Sequence, residues 1–433
     1  MTATSGQRTA PAPVTRTRAF WTLMAYAVGL GVFGAVAGLV FVGVLNLGGS
    51  WYSDSHPDWF GGHWWWVAVT ATAGVAVGLV RRLTRLPWKT PGLFDDLQSE
   101  TVDAAIVPGL AAVSAVSLIG GASLGPEKAL GSRGGGAGTW VAQRRGLAPE
   151  DAKVNTLAGF AGAYGGLFSS TVIVVLLILE VARPGGSRLT KALAANIVAS
   201  SVSFGVYFAI AGAVFLDDYA MPTFDFEDWQ LLAGVGFGLF AAVVVTLLAA
   251  FMQGVDRLVS RLTMPDIAIS GVGGLVFGVV GVALPLTMFN GSDQLGTVID
   301  GAGGLGVGLL VAALVAKMFT FAVSQGTGFV GGPIFPSLFI GGTAGVIVHQ
   351  VIPGVPLGLA FGCMLAAVPG AAVSAPFSMV LLSLFLTQVG ALQTAPILIA
   401  VVTAYLAVES LKYALATRSR ARSAPAEPGA THR

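Results

Sequence analysis

From Ala19 to Leu47 the chain carries no charged side chain. A helix needs about 20 consecutive apolar residues to cross the hydrocarbon of a bilayer, so this run alone commits the chain to a membrane. It is too long for the core of a cleaved signal, and no small-residue cleavage pattern follows it convincingly, so it reads as a helix of the mature protein. Comparable runs cover 64–82, 189–215, 230–253, 267–289, 301–323 and 392–416. Charged residues make up 10% of the sequence, against about 25% in a soluble domain. So little polar surface cannot cover a globule in water, which excludes a soluble enzyme. The 60 glycines among 433 residues suit membrane helices whose backbones approach closely. A net charge of +2 implies no nucleic-acid partner, and the single Cys363 lies in an apolar run with no cysteine to pair with.

The ends are polar. Residues 1–18 are rich in Thr, Pro, Ala and Arg, and 417–433 carry Arg418, Arg420 and Arg422 among small residues. They read as short disordered tails, and their arginines place both termini on the cytoplasmic side of the inner membrane. The membrane domain spans 19–416. Within it, 104–145, 152–183 and 326–390 are apolar but broken by Gly and Pro. Such breaks predict re-entrant or half helices, tolerated only where backbone is buried or lines a cavity. A weak repeat supports duplication of one membrane unit, with halves of about 19–215 and 225–416: LFSSTVIVVLLILEV (167–181) resembles VSAPFSMVLLSLFLT (373–387), and GGASLGPEKALG (120–131) resembles GFVGGPIFPSLFIGG (328–342). Coincidence among Gly-rich apolar segments is the alternative.

Three segments have the grammar of an anion site inside a membrane. An anion there must exchange its water for donors that do not trap it, and helix N-termini offer free N–H groups and a positive dipole end. Thr90-Pro91-Gly92-Leu93-Phe94, Leu124-Gly125-Pro126-Glu127-Lys128 and Gly331-Gly332-Pro333-Ile334-Phe335-Pro336 each put a proline where a helix starts, a position that needs no N–H. Glu127 stands out, because a carboxylate between apolar segments is costly and functional by default. Ionised, it would sit where an anion binds; protonated, it would leave. The bland alternative is a surface glutamate paired with Lys128.

These residues resemble the CLC chloride channel and transporter family. AKMFTFAVSQGTGFVGGPIFPSLFIGGTAG (316–345) is similar to the segment ending in the family's GGIFAP-type motif. Leu124–Lys128 is similar to GREGP, with Glu127 at the gating glutamate. Residues 168–180 and 375–387 resemble the paired helices of the two halves, and 290–295 resembles a loop of bacterial members. The likeness covers about 20–415. It implies an all-α polytopic fold of tilted and broken helices in two inverted repeats, a homodimer in the lipid bilayer, and a glutamate-gated pathway for chloride or another small anion in each subunit. Amides near Gly332, Ile334 and Phe335 would hold the central anion. Those around Gly125 and Lys128 would face the outer site, and Thr90, Pro91 and Gly92 would match the segment that usually reads GSGIP. Tyr413 is the better match to the pore tyrosine, with Tyr405 the alternative; either also suits an interfacial anchor.

The departures bear on mechanism. Pro91 replaces the expected serine, as in plant members that favour nitrate. Pro126 replaces the arginine before the gate, and Lys128 the glycine after it; Lys128 could draw anions in or pair with Glu127. Exchangers carry a second, proton-relaying glutamate directly after the residue matched by Glu180, and that place is Val181. Glu180 is then a relay member, or a helix-end residue paired with Arg183. The expectation is a channel-like or loosely proton-coupled anion pathway, with a strict proton-coupled antiporter for chloride, nitrate or fluoride as the alternative. No metal-binding, nucleotide-binding or nucleophile–base pattern is found among the histidines, glycine-rich loops or apolar segments, so neither an enzyme nor a cofactor is expected.

Overall fold

The structure, a computed structural model, describes residues 14–54, 64–212, 219, 221–222 and 224–423. Among these residues there are sixteen α-helices and no β-strand. The first four are α1 (Arg18–Asp54), α2 (Trp65–Thr84), α3 (Leu93–Ser99) and α4 (Val107–Ile119). Then follow α5 (Glu127–Arg145), α6 (Pro149–Leu167), α7 (Thr171–Ala182) and α8 (Ser187–Ala211). Next come α9 (Trp229–Val259), α10 (Asp266–Ala283), α11 (Ser292–Asp300) and α12 (Val307–Gly326). The last are α13 (Ile334–Val351), α14 (Leu357–Ala372), α15 (Pro376–Thr387) and α16 (Thr394–Ser423). Eight of the described helices are long and apolar enough to cross a membrane. Each broken apolar stretch is divided among helices: 104–145 becomes α4 and α5, 152–183 falls in α6 and α7, and 326–390 holds α13, α14 and α15, of which α13 is among the eight long enough to span.

Contacts divide the described residues into two units. One lies within 1–56, 80–119 and 126–216, the other within 57–79, 120–125 and 217–433. The expected half boundaries are thus crossed twice by short segments of the first half that pack with the second unit. Residues 1–13 and 424–433 of the expected tails lie outside the described residues, as do His56, Trp59 and His63. Residues 417–423, expected in the tail, continue α16, where Arg418, Arg420, Ala421 and Arg422 have good helix propensity.

In the first unit α6 is the core. Its residues from Val154 to Leu167 are all buried. Pro149 opens it at the first helical position, with Glu150 and Asp151 in the first turn favoured by the dipole. Ahead of it α5 ends on Gly146 in the left-handed region, with Arg144 and Arg145 in its last turn. The two helices approach to backbone contact: a Cβ built on Gly134 would meet the Gly159 carbonyl, and one on Gly159 would meet that of Gly134. Glycine spacing in GSRGGGAG therefore specifies a helix crossing that any side chain would force open.

In the second unit the buried helices are α13 and α14. Residues Ile334 to Ile347 of α13 and Gly358 to Ala371 of α14 are buried throughout. A Cβ on Gly345 would meet the Ala360 carbonyl, so these helices too are closely apposed. Around the units, long apolar side chains such as Leu232, Val243 and Leu406 are exposed, as lipid-facing residues should be.

Candidate functional site

In the second unit two Gly-Pro segments from distant parts of the chain are joined. The Gly125 N–H donates to the Gly332 carbonyl at 2.9 Å, and the Gly332 N–H donates to the Gly125 carbonyl at 2.7 Å. Each glycine precedes a proline that caps a helix: Pro126 caps α5 with φ −74° and ψ −11°, and Pro333 caps α13 with φ −93° and ψ −10°. The two segments are the pair that the weak repeat matched, paired here at corresponding residues. Gly331 has room for nothing larger, since a Cβ there would meet Leu124 Cβ and the Gly125 carbonyl. Beside the bridge the Ser123 N–H donates to Ser324 Oγ at 3.2 Å. Ile334 and Phe335, the first helical residues of α13, are fully buried. The Ser337 N–H donates to the Pro333 carbonyl at 3.2 Å, which sets these two residues in the first turn of the helix.

Lys317 of α12 lies near this region and was not singled out from the sequence. Its side chain is fully buried. Nζ donates to the carbonyls of Thr287, Met288 and Phe289 at 3.2, 3.2 and 2.8 Å, and it stands 5.1 Å from the Phe339 ring of α13. Three carbonyl dipoles match the three donors of an ammonium. A lone lysine in an otherwise apolar run was the available signal.

In the first unit Glu127 is the first helical residue of α5 and is completely buried. The alternative of a surface glutamate paired with Lys128 does not hold: both residues are buried, and Lys128 Nζ lies 2.6 Å from Asp96 Oδ2 of α3. Ser132 Oγ donates to the same oxygen at 3.5 Å. The buried Tyr164 of α6 donates its hydroxyl to the Glu127 carbonyl at 3.0 Å. A side chain at Gly131 would collide with that hydroxyl. Neither Asp96 nor Tyr164 was legible as a site residue, because each acts across a helix pairing that the sequence does not display.

Thr90 and Gly92 are half-buried and Pro91 is exposed. The Gly92 N–H donates to Asp95 Oδ2 at 2.7 Å, so a carboxylate of the chain already takes a donor that the sequence offered to an external anion. Glu180, in the last turn of α7, is half-buried and Val181 is buried. Arg183 donates its Nε to the Glu180 backbone carbonyl at 3.1 Å, capping the helix through the main chain. Tyr413 is 74% exposed on α16, whereas Tyr405 is half-buried.

A family model described as voltage gated chloride channel matches residues 89–409. The chain belongs to that family. It is an integral membrane protein of CLC-type anion transport. Relatives from Escherichia coli and Escherichia fergusonii, provisionally named ion-transport protein YfeO, are each 26% identical over 314 residues, covering 70% of this chain and 72% of the relative. Among solved structures, a slow cyanobacterial Cl−/H+ antiporter matches 93% of this chain and 98% of its own, with a TM-score of 0.75 and 17% identity. A CLC-type fluoride/proton antiporter matches 89% and 95%, with a TM-score of 0.74 and 18% identity. At such identities the structural matches establish the CLC fold, which the all-helical architecture shares.

Proposed function

We propose that the chain conducts small anions of the chloride type through a pathway gated by Glu127, channel-like or loosely coupled to protons. The observation that carries this reading is the burial of Glu127 at the first residue of α5, directly after the Gly125-Pro126 step. An ionised carboxylate there competes with an anion for the N–H groups of the helix start, and a protonated one no longer does. The anion is served by the amides of the first turn of α13, around Ile334 and Phe335, and by those of the first turn of α5, including the Lys128 backbone. Neither set carries a full charge on the donor, which lets an ion enter and leave.

Val181 supports loose rather than strict coupling, since it offers no proton site next to Glu180. The likeness to a Cl−/H+ antiporter and a fluoride/proton antiporter favours strict exchange as the second reading. The arginines flanking α1 and α16 support a cytoplasmic side for both termini, at an inner membrane, and the exposed apolar helix faces suit a homodimer within the bilayer. The test is flux in liposomes, with anion efflux and internal pH recorded together under a chloride gradient and then a nitrate gradient. Rapid anion flux without coupled protons is the expected result. Uphill proton movement driven by the anion gradient would establish the exchanger instead.

A further inference from the structure

Lys128 occupies a poor place for a cation. It is the second residue of α5, where the helix dipole is positive, and only 4% of it is exposed. The neighbouring cation, Arg133, is turned toward the Phe41 ring, 4.4 Å away. Asp96 answers the misplaced charge at 2.6 Å from α3, and Ser132 braces the acceptor oxygen from the next turn of α5. Asp95 does not share this role: it is exposed and engages the Gly92 N–H. The hydroxyl of Tyr164 is committed to the Glu127 carbonyl at 3.0 Å.

We propose that Asp96 is a charge-masking and positioning residue for anion transport: paired with Lys128, it leaves the start of α5 lined by N–H dipoles rather than by a full positive charge. Conduction requires binding strong enough for entry and weak enough for release. An unmasked ammonium in a low-dielectric surround would hold an anion far more tightly than amides do. The same pair ties α3 to the first turn of α5, so the helix carrying Asp96 also sets where Lys128 and Glu127 stand. This inference rests on the reading that the start of α5 belongs to the anion route.

The test is chloride flux in proteoliposomes across a range of chloride concentrations for the wild-type chain, Asp96→Asn, and the double variant Asp96→Asn with Lys128→Met. Asp96→Asn is expected to lower the half-saturating chloride concentration and the maximal rate together, each by about tenfold. The double variant, which removes both charges, is expected to bring the half-saturating concentration back to within about twofold of wild type. A merely structural role would reduce the maximal rate without tightening half-saturation, and that result would overturn the proposal. Should Asp96→Asn fail to yield monodisperse protein, the double variant decides alone: a half-saturation near wild type supports masking, and one shifted severalfold overturns it. Glu127→Gln is run alongside. Unchanged flux and pH response in that variant would remove the start of α5 from the route, and the masking role with it, whereas an altered response beside an unmoved Asp96→Asn half-saturation would sink the masking role alone.

Discussion

Gly125 and Gly332 exchange both of their backbone hydrogen bonds, at 2.9 and 2.7 Å, and each hands the chain to a proline that starts a helix. A two-residue antiparallel bridge inside a helical membrane protein satisfies backbone groups that neither helix can use. It also holds the Gly125 and Gly332 segments together by main-chain geometry, independent of side-chain rotamers.

Crowding at this bridge gives a direct expectation for Gly331. Its missing side chain leaves space for Leu124 Cβ and the Gly125 carbonyl, so Gly331→Val should push the two segments apart. Overpacking of this kind costs about 1–3 kcal/mol. We expect a lower melting temperature in detergent and a loss of most anion flux in liposomes, with Gly331→Ala intermediate. Wild-type flux in Gly331→Val would show that the bridge does not govern transport.

Glu127 should behave as a protonatable plug. Glu127→Gln is expected to abolish the pH dependence of anion flux, because the amide does not titrate. Glu127→Ala is expected to raise flux at all pH values, since nothing then competes for the helix start. Measuring efflux between pH 4.5 and pH 7.5 (roughly the range in which carboxylates titrate) checks both variants. An intact pH response in both would assign the gate elsewhere.

Much of the fold could be read from the chain because lipid imposes a simple code. The apolar runs predicted α1, α2, α8, α9, α10, α12 and α16, with either end displaced by at most seven residues, and Gly-Pro punctuation marked the starts of α5 and α13. What stayed hidden depends on tertiary pairing. Asp96 looks like one of two adjacent surface acids, and only the approach of α3 to α5 makes it the partner of Lys128. Tyr164 sits in a Gly-rich helix whose burial on every side leaves no amphipathic stripe to interpret. Gly92 had the right local sequence for an anion site, yet Asp95 three residues on reaches back to its N–H, a capping interaction that competes with any ligand.

Tyr164 supplies a milder test of how rigidly the start of α5 must be held. Tyr164→Phe removes only the hydroxyl that donates to the Glu127 carbonyl, leaving the ring in its packed position. Losing one buried hydrogen bond of this type costs about 1 kcal/mol, so the fold should persist with a melting temperature a few degrees lower. Flux at fixed pH should change severalfold as the first turn of α5 loosens. Unaltered flux with the expected drop in stability would confine Tyr164 to packing.

Exposure separates Tyr413 from the role that resemblance implied. With 74% of its surface accessible on α16, it has the placement of an interfacial anchor. Tyr413→Phe is therefore expected to leave the chloride-to-nitrate flux ratio unchanged. A shifted ratio would return it to the pore.

Lys317 provides the sharpest distinction between charge and shape. Its ammonium is buried with no carboxylate paired to it among the described residues, and it is satisfied by the carbonyls of Thr287, Met288 and Phe289. Lys317→Met keeps the length of the side chain but leaves the Met288 and Phe289 carbonyls short of that donor, while Thr287 keeps the Thr320 hydroxyl at 3.4 Å. Each unsatisfied buried acceptor costs about 1–3 kcal/mol, which predicts severe destabilisation, seen as loss of monodisperse protein or a large fall in melting temperature. Lys317→Arg keeps the charge but brings a wider, planar donor group, and the Phe339 ring and the backbone at Gly291 crowd the site. It should recover only part of the stability. A stable Lys317→Met protein would mean that the 287–289 turn is held by its own backbone, and that the lysine is kept for its charge instead.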